Sequence, residues 1–290
     1  MAPPDAEQRR KAETFRALHL GAEALVLVNA WDIASARIVE EAGFPAIGTT
    51  SAGIAFTQGF PDGQKIHPDR MFARIAQIAL AVNVPLTADV EAGYGDTPER
   101  ASRTARNVIF SGAVGMNFED ATGDPNHPLA DLSLQIERIR AIREAAKRHD
   151  VALVLNARTD VYLLQVGEPA KRYDECLRRL AAFRDAGADC VFSPGLTDTK
   201  TISRLVGDVN CPVNVLAVPG APSVRELAAL GVKRISLGSG PMRATLGHLR
   251  RLAEEVKRDG TYTKLDGAPS YAEMNALMKA NRHSKDSSGH

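Results

Sequence analysis

The stretch TADVEAGYG, residues 87–95, leaves a short apolar run and presents Asp89 and Glu91 two residues apart. On an extended chain, residues i and i+2 point to the same side, so both carboxylates face one space. Like charges placed this way repel unless a cation stands between them. Glu119 ends a second apolar run, AVGMNFED (113–120), and Arg158 ends a third, VALVLNAR (151–158). Three carboxylates converging on one point favour a hard divalent ion, Mg2+ or Mn2+, that retains several waters. Arg158 adds a planar fork suited to carboxylate or enolate oxygens. Each acid alone reads equally well as a helix N-cap or as the partner of a nearby arginine. It is the three together, with Arg158, that point to a site.

Bringing these residues together requires a scaffold that gathers strand ends. Eight short apolar runs recur: 24–29, 45–50, 85–90, 113–120, 151–158, 188–194, 212–217 and 232–238. They are rich in Val, Ile and Leu and lack polar alternation, as strands buried on both faces do. Amphipathic segments such as RMFARIAQIALAV and LSLQIERIRAIREAAKRH separate them. Thr97-Pro98, His67-Pro68 and Glu168-Pro169 each place proline at an expected first helical turn, and glycines in EAGFPA, SGAVGM, DAGADC and ALGVKR mark helix ends. This alternation predicts an α/β fold, a closed (β/α)8 TIM barrel forming one domain over residues 1–290, with its site at the C-terminal ends of the strands. A doubly wound open sheet is the alternative, but NAWDIASA after the first run lacks the glycine-rich turn such sheets carry. An extra helix is expected at about 7–20 and a last one at about 269–282, followed by a disordered tail, 283–290.

The formal net charge of +1 and the absence of basic or acidic blocks argue against a nucleic-acid or anionic-membrane partner. No run is long enough to span a bilayer, and the polar N-terminus lacks a signal core, so a cytoplasmic location is expected. Three scattered cysteines fit buried structural thiols rather than a disulfide framework. His19, His149 and His248 fall on helices and read as partly exposed. His127 lies in the loop 120–131, whose Gly, Pro, Asn and Asp content suits a mobile lid. A solvent-exposed loop histidine is the plainer reading of His127. GSGP (238–241) reads equally as a phosphate-cradling turn and as a tight strand–helix turn.

The set LVNAWDIASARIVEEAGFPAIGTTSAG, GFPDG, TADVEAGYGDTPE, GMNFED, LNARTD and GADCVFSPG resembles the isocitrate lyase/phosphoenolpyruvate mutase superfamily, from about Phe15 to the last helix. The resemblance implies a barrel whose final helix is exchanged between subunits in a homo-oligomer, a dimer of dimers. It also implies Mg2+ and a 2-oxo-acid or related small-molecule carboxylate substrate. Asp89 then matches the acid nearest the metal, and Glu91 and Glu119 match acids that hold it through water. Thr50, Ser51 and Ala52 match a loop that holds the substrate carboxylate, Asp62 matches an acid near its reacting end, and Arg158 pairs with its anionic oxygens. Trp31, Phe56, Phe192, Asn214 and the lid loop are expected to shape the pocket, with Trp31, Asp32 and Asn214 binding substrate. Family lyases carry a Lys-(Lys/Arg)-Cys-Gly-His run in the loop after the fourth strand; here that loop reads ATGDPNHPL, with neither Cys nor Lys.

These features predict a Mg2+-dependent lyase that cleaves a C–C bond next to a 2-oxo or 2-hydroxy carboxylate through an enolate, as in oxaloacetate decarboxylation. Water, Tyr94 or His127 would supply the proton. P–C bond chemistry on phosphonopyruvate and a carboxylate-binding barrel without turnover are the alternatives.

Overall fold

The structure, a computed structural model, describes residues 3–279. Helix α1 (Ala6–Leu20) precedes β1 (Leu25–Leu27), β2 (Asn29–Ala30), α2 (Ile33–Glu41), β3 (Ile47–Thr49) and α3 (Ser51–Thr57). There follow α4 (Pro68–Ala81), β4 (Leu86–Asp89), α5 (Pro98–Phe110), β5 (Gly115–Glu119), α6 (Leu132–Arg148) and β6 (Val154–Arg158). The chain continues with α7 (Arg172–Asp185), β7 (Cys190–Phe192), α8 (Thr199–Val209), β8 (Val213–Leu216) and α9 (Val224–Ala229). Strand β9 (Arg234–Ser236), α10 (Gly240–Asp259) and α11 (Tyr271–Lys279) complete the described order. The tail expected to be disordered, 283–290, and the end of the expected last helix lie outside the described residues.

All pairings are parallel, in the order β1-β9-β8-β7-β6-β5-β4-β3-β2. The segments β1 and β2 are halves of one extended run interrupted at Val28, the first pairing with β9 and the second with β3. The ring therefore closes through this run, which gives the (β/α)8 barrel. Asn29 stitches the seam. Its Nδ2 donates to the Thr49 carbonyl at 2.7 Å, and its Oδ1 accepts from the Leu237 and Gly238 N–H groups, each at 2.9 Å.

Most helices start where the side chains say they should. Thr97 accepts from the Arg100 N–H ahead of Pro98, and His67 Nδ1 accepts from the Asp69 N–H ahead of Pro68. Pro169 behaves differently: it sits in a turn closed by the Lys171 N–H on the Glu168 carbonyl, and α7 starts only at Arg172. The chain must first reverse through left-handed Gln165 and Gly167, which a helix cannot accommodate.

Helix α1 plugs the N-terminal mouth of the barrel. Phe15 reaches Gly115, where a Cβ would stand 2.6 Å from its ring, so only glycine leaves room. His19, expected to be partly exposed, is 2% exposed: its Nδ1 lies 2.8 Å from the Phe15 carbonyl, its ring packs against Phe15, and its Nε2 faces Arg234. Burial and then the Arg234 charge lower the His19 pKa to about 4. Arg234 is itself fully buried and donates to Asn117 Oδ1 at 3.0 Å, and Asn156 donates to the same oxygen at 2.8 Å. The lower barrel interior is thus a polar network closed by an aromatic plug, and the opposite mouth is left for chemistry. At the C-terminal end of the chain, α11 lies on α2, with Arg37 donating to the Leu277 carbonyl. Among the described residues no helix is long and apolar enough to cross a membrane.

Candidate active site

Strands β3 to β6 end in the residues that the sequence singles out. Asp89 closes β4. Its Oδ2 accepts from the Ser51 N–H at 2.9 Å and from Ser51 Oγ at 2.7 Å, while its own N–H donates to Thr49 Oγ1 at 2.8 Å. The other oxygen, Asp89 Oδ1, is buried and has no hydrogen-bond partner. A carboxylate oxygen enclosed without a donor is costly unless a ligand serves it.

Glu91 follows in a left-handed conformation, φ +51°. Its Oε2 accepts from the Gln64 N–H at 2.5 Å, and the Tyr94 hydroxyl reaches Oε1 at 3.4 Å. Burial, then the Asp89 and Asp62 charges, raise the Glu91 pKa to about 7. Tyr94 is also held well above the usual phenol range by burial and by the Glu91 and Asp89 charges, so it stays a proton donor.

Glu119 ends β5 in register with Arg158 at the end of β6, and their side chains pair at 2.8 Å. Arg158 therefore stands beside Glu119 on the adjacent strand. Its Nε and Nη2 also bind both oxygens of Asp160, at 2.5 and 2.9 Å. Burial disfavours the Arg158 charge, but Glu119 and Asp160 outweigh it and hold the guanidinium firmly protonated. Burial raises the Glu119 pKa well above the carboxylate range; Arg158 pulls it down, and Asp160, Asp89 and Glu91 push it further up. A cation added here would relieve that repulsion.

Among the described residues no three His, Cys, Asp or Glu side chains are grouped so as to hold a metal ion by themselves. The expected set is Asp89 nearest the ion, with Glu91 and Glu119 acting through water; here Glu119 is tied to Arg158, and Glu91 to Gln64 and Tyr94. The arrangement suits Mg2+. It offers one enclosed oxygen, Asp89 Oδ1, beside two further carboxylates, and Mg2+ keeps most of its waters.

Other expected site residues divide. Asp62 lies on an exposed loop, yet loss of surrounding water and the Asp89 charge raise its pKa, while Arg158 pulls it down, so it shares the field of the cluster. Thr50 caps α3 by accepting from the Gly53 N–H, and Ala52 is buried behind it. Ser51 was expected to hold substrate, but both its donors are on Asp89. Asp32, expected to bind substrate, has its carboxylate in a capping box with Ser35 at the start of α2. Trp31 packs, partly exposed, on the core and stands close to Gly53. Asn214 is buried, donates to Ser236 Oγ at 3.2 Å and leaves its Oδ1 without a partner. The His127 side chain is 84% exposed and faces Asp124 at 3.3 Å. Its loop is pinned at the base by an antiparallel bridge between Ala121 and Leu129. Between this loop and the 92–96 turn lies a cleft of about 550 Å3 lined by Gln64, Ala92, Thr122, His127 and Arg138 among others.

Three residues gain roles that the sequence did not assign. Asp160 fixes the Arg158 plane, and its signal was available: it lies two residues beyond Arg158 on the same strand exit. Asp120, fully buried, binds the Thr159 hydroxyl, the Asp160 N–H and Arg179, and so braces that exit from behind. Gln64 contacts both Glu91 and Tyr94, and nothing in the sequence pattern marks it. The cysteines stay outside: burial pushes the Cys176 and Cys211 thiols up to about 12.

Fold and site together define a (β/α)8 barrel with an acid-rich, arginine-braced mouth suited to a hard cation and an anionic ligand. Residues 15–257 match the phosphoenolpyruvate phosphomutase family, and the chain belongs to that family, within the isocitrate lyase/phosphoenolpyruvate mutase superfamily. An uncharacterised protein of Mycobacterium tuberculosis is 36% identical over 270 residues, covering 91% of this chain and 96% of the relative. A crystal structure from Burkholderia cenocepacia J2315, described only by the general label lyase/mutase, superposes with a TM-score of 0.89 at 41% identity, covering 93% of this chain and 96% of that one. Oxaloacetate decarboxylase of Chromohalobacter salexigens is 28% identical over 249 residues, covering 82% of each chain.

Proposed function

We propose that this protein is a Mg2+-dependent carbon–carbon lyase acting next to the keto group of a small 2-oxo carboxylate, with oxaloacetate decarboxylation as the reference reaction. The observation that carries this reading is the buried, donorless Asp89 Oδ1 set among Glu91, Glu119 and Arg158. Asp89 would be the direct ligand, with Glu91 and Glu119 holding water in the outer shell. A divalent cation bound there supplies Lewis-acid polarisation of the substrate's keto and carboxylate oxygens.

The chain's own residues do the rest. Arg158, its plane fixed by Asp160, orients the substrate's anionic oxygens and opposes the negative charge that develops there as the C–C bond breaks. In the reference reaction the bond between C3 and the C4 carboxylate breaks, CO2 leaves, the electron pair passes through C3 to the keto oxygen as an enolate, and a proton then returns to C3 to give pyruvate. Tyr94, half-enclosed and kept protonated, stands over Glu91 and is better placed than exposed His127 to supply that proton. The oxaloacetate decarboxylase relative supports the choice of reference substrate.

Phosphonopyruvate cleavage is the competing reaction. The turn at 238–241 does not favour it, because the Gly238 and Gly240 N–H groups are already held, by Asn29 Oδ1 and by the Leu237 carbonyl. Pyruvate release from oxaloacetate and phosphate release from phosphonopyruvate, measured side by side, separate the two. Asp89→Ala is expected to abolish the Mg2+-dependent pyruvate release. Unchanged turnover in that variant, or phosphate release as the dominant activity of the wild type, would overturn the proposal.

A further inference from the structure

Gln64, Glu91 and Tyr94 come from two separate loops and close a triangle of hydrogen bonds. The Gln64 N–H donates to Glu91 Oε2 at 2.5 Å, the Tyr94 N–H donates to Gln64 Oε1 at 2.6 Å, and the Tyr94 hydroxyl donates to Glu91 Oε1 at 3.4 Å. All three residues are left-handed, with φ of +60°, +51° and +56°. Non-glycine residues seldom adopt this conformation, and three in mutual contact persist only where the surroundings hold them there. Gln64 is the member that joins the loops: it lies two residues beyond Asp62, and through its backbone and side chain it grips both ends of the 91–94 turn.

We propose that Gln64 is a positioning residue that ties the Asp62 loop to the Glu91–Tyr94 turn and thereby aims the Glu91 carboxylate at the cation site. Its effect on the cation rests on the lyase reading above; its effect on the turn does not. Without the Gln64 amide oxygen, the Tyr94 N–H loses its acceptor and the turn loses the contact that opposes its relaxation to a right-handed conformation. Glu91 would then swing over a wider range, and the outer shell of Asp89 would loosen. Such supporting contacts typically change metal affinity by about 10- to 100-fold.

Two variants and two measurements test this. Gln64→Met keeps the length of the side chain and removes the acceptor. Gln64→Glu keeps the acceptor and adds a negative charge. Amide hydrogen exchange of the metal-free protein should show faster exchange across residues 90–96 in Gln64→Met and near-wild-type exchange in Gln64→Glu. Titration with Mn2+, followed by the electron paramagnetic resonance of the free ion, should show about tenfold weaker binding in Gln64→Met, with Gln64→Glu binding at least as tightly as wild type. Wild-type exchange and wild-type Mn2+ affinity in Gln64→Met would overturn the proposal, as would faster exchange with unchanged affinity. A wild-type protein that binds no Mn2+, alongside faster exchange in Gln64→Met, would refute the cation site and leave the coupling of the two loops standing.

Discussion

Asp89 commits one carboxylate oxygen to Ser51 and keeps the other enclosed without a donor, whereas Glu119 and Asp160 are both held by Arg158. Under the proposed lyase reading, that contrast would give Asp89 the cation's place and the Arg158 group the substrate's anionic side. It also separates the two side chains that the sequence offered as proton donors. Tyr94→Phe is expected to lower kcat by about 100-fold or more, in the range typical of a lost general acid. His127→Ala should leave kcat within about threefold, since surface residues outside the chemistry seldom matter more. Steady-state kinetics on oxaloacetate check both, and the reverse ranking would return the role to the loop. At this scale the sequence was readable where one strand exit carried the signal: Asp89 with Glu91 and Arg158 with Asp160 are neighbours in the chain, although Glu91 and Asp160 lie past the strand ends and Glu91 reaches the cluster through a left-handed turn rather than an extended strand. It was unreadable where a side chain had two admissible jobs. Asp32 could bind substrate or cap α2, and only the Ser35 contact decides for the cap.

The elements carry these residues by meeting in a ring, and the ring depends on its seam. Asn29 satisfies one carbonyl and two N–H groups across β2, β3 and the exit of β9. Asn29→Ala would leave these partly buried groups unpaired, so the protein should lose roughly 2–4 kcal/mol of stability, measured by urea unfolding. A loss below about 0.5 kcal/mol would mean the seam is held by other contacts. The alternation of strand and helix was visible in the chain because it is a local pattern of apolar runs, prolines and glycines. The interruption at Val28 and the stitching by Asn29 were not, since they depend on partners that are distant in sequence. Gln64 escaped for the same reason: its contact to Glu91 joins residues 27 positions apart. The delayed start of α7 shows a proline overruled by the turns before it.

Over the whole molecule, polarity runs down the barrel axis: a charged mouth at the strand ends, a layer of asparagines with Arg234, and α1 as the plug beneath. His19 makes this testable. Its pKa of about 4 lies below the 6.5 of an exposed histidine, so between pH 6.5 and 4 the unfolded chain binds a proton that the folded chain refuses. Its contribution is therefore intact above pH 6.5 and is lost as pH falls, reaching on the order of 3 kcal/mol. Urea unfolding across this range should show wild type losing that much more stability than His19→Gln, which has no proton to gain; parallel profiles would contradict the buried, neutral state. The central claim is that Asp89 Oδ1 holds a divalent cation at the barrel mouth, and crystals grown with Mn2+ and oxalate test it most directly. An anomalous peak is expected about 2.0–2.2 Å from that oxygen, with water between the ion and Glu91 and Glu119. A well-ordered site with no such peak, or with the ion bound elsewhere, would contradict it.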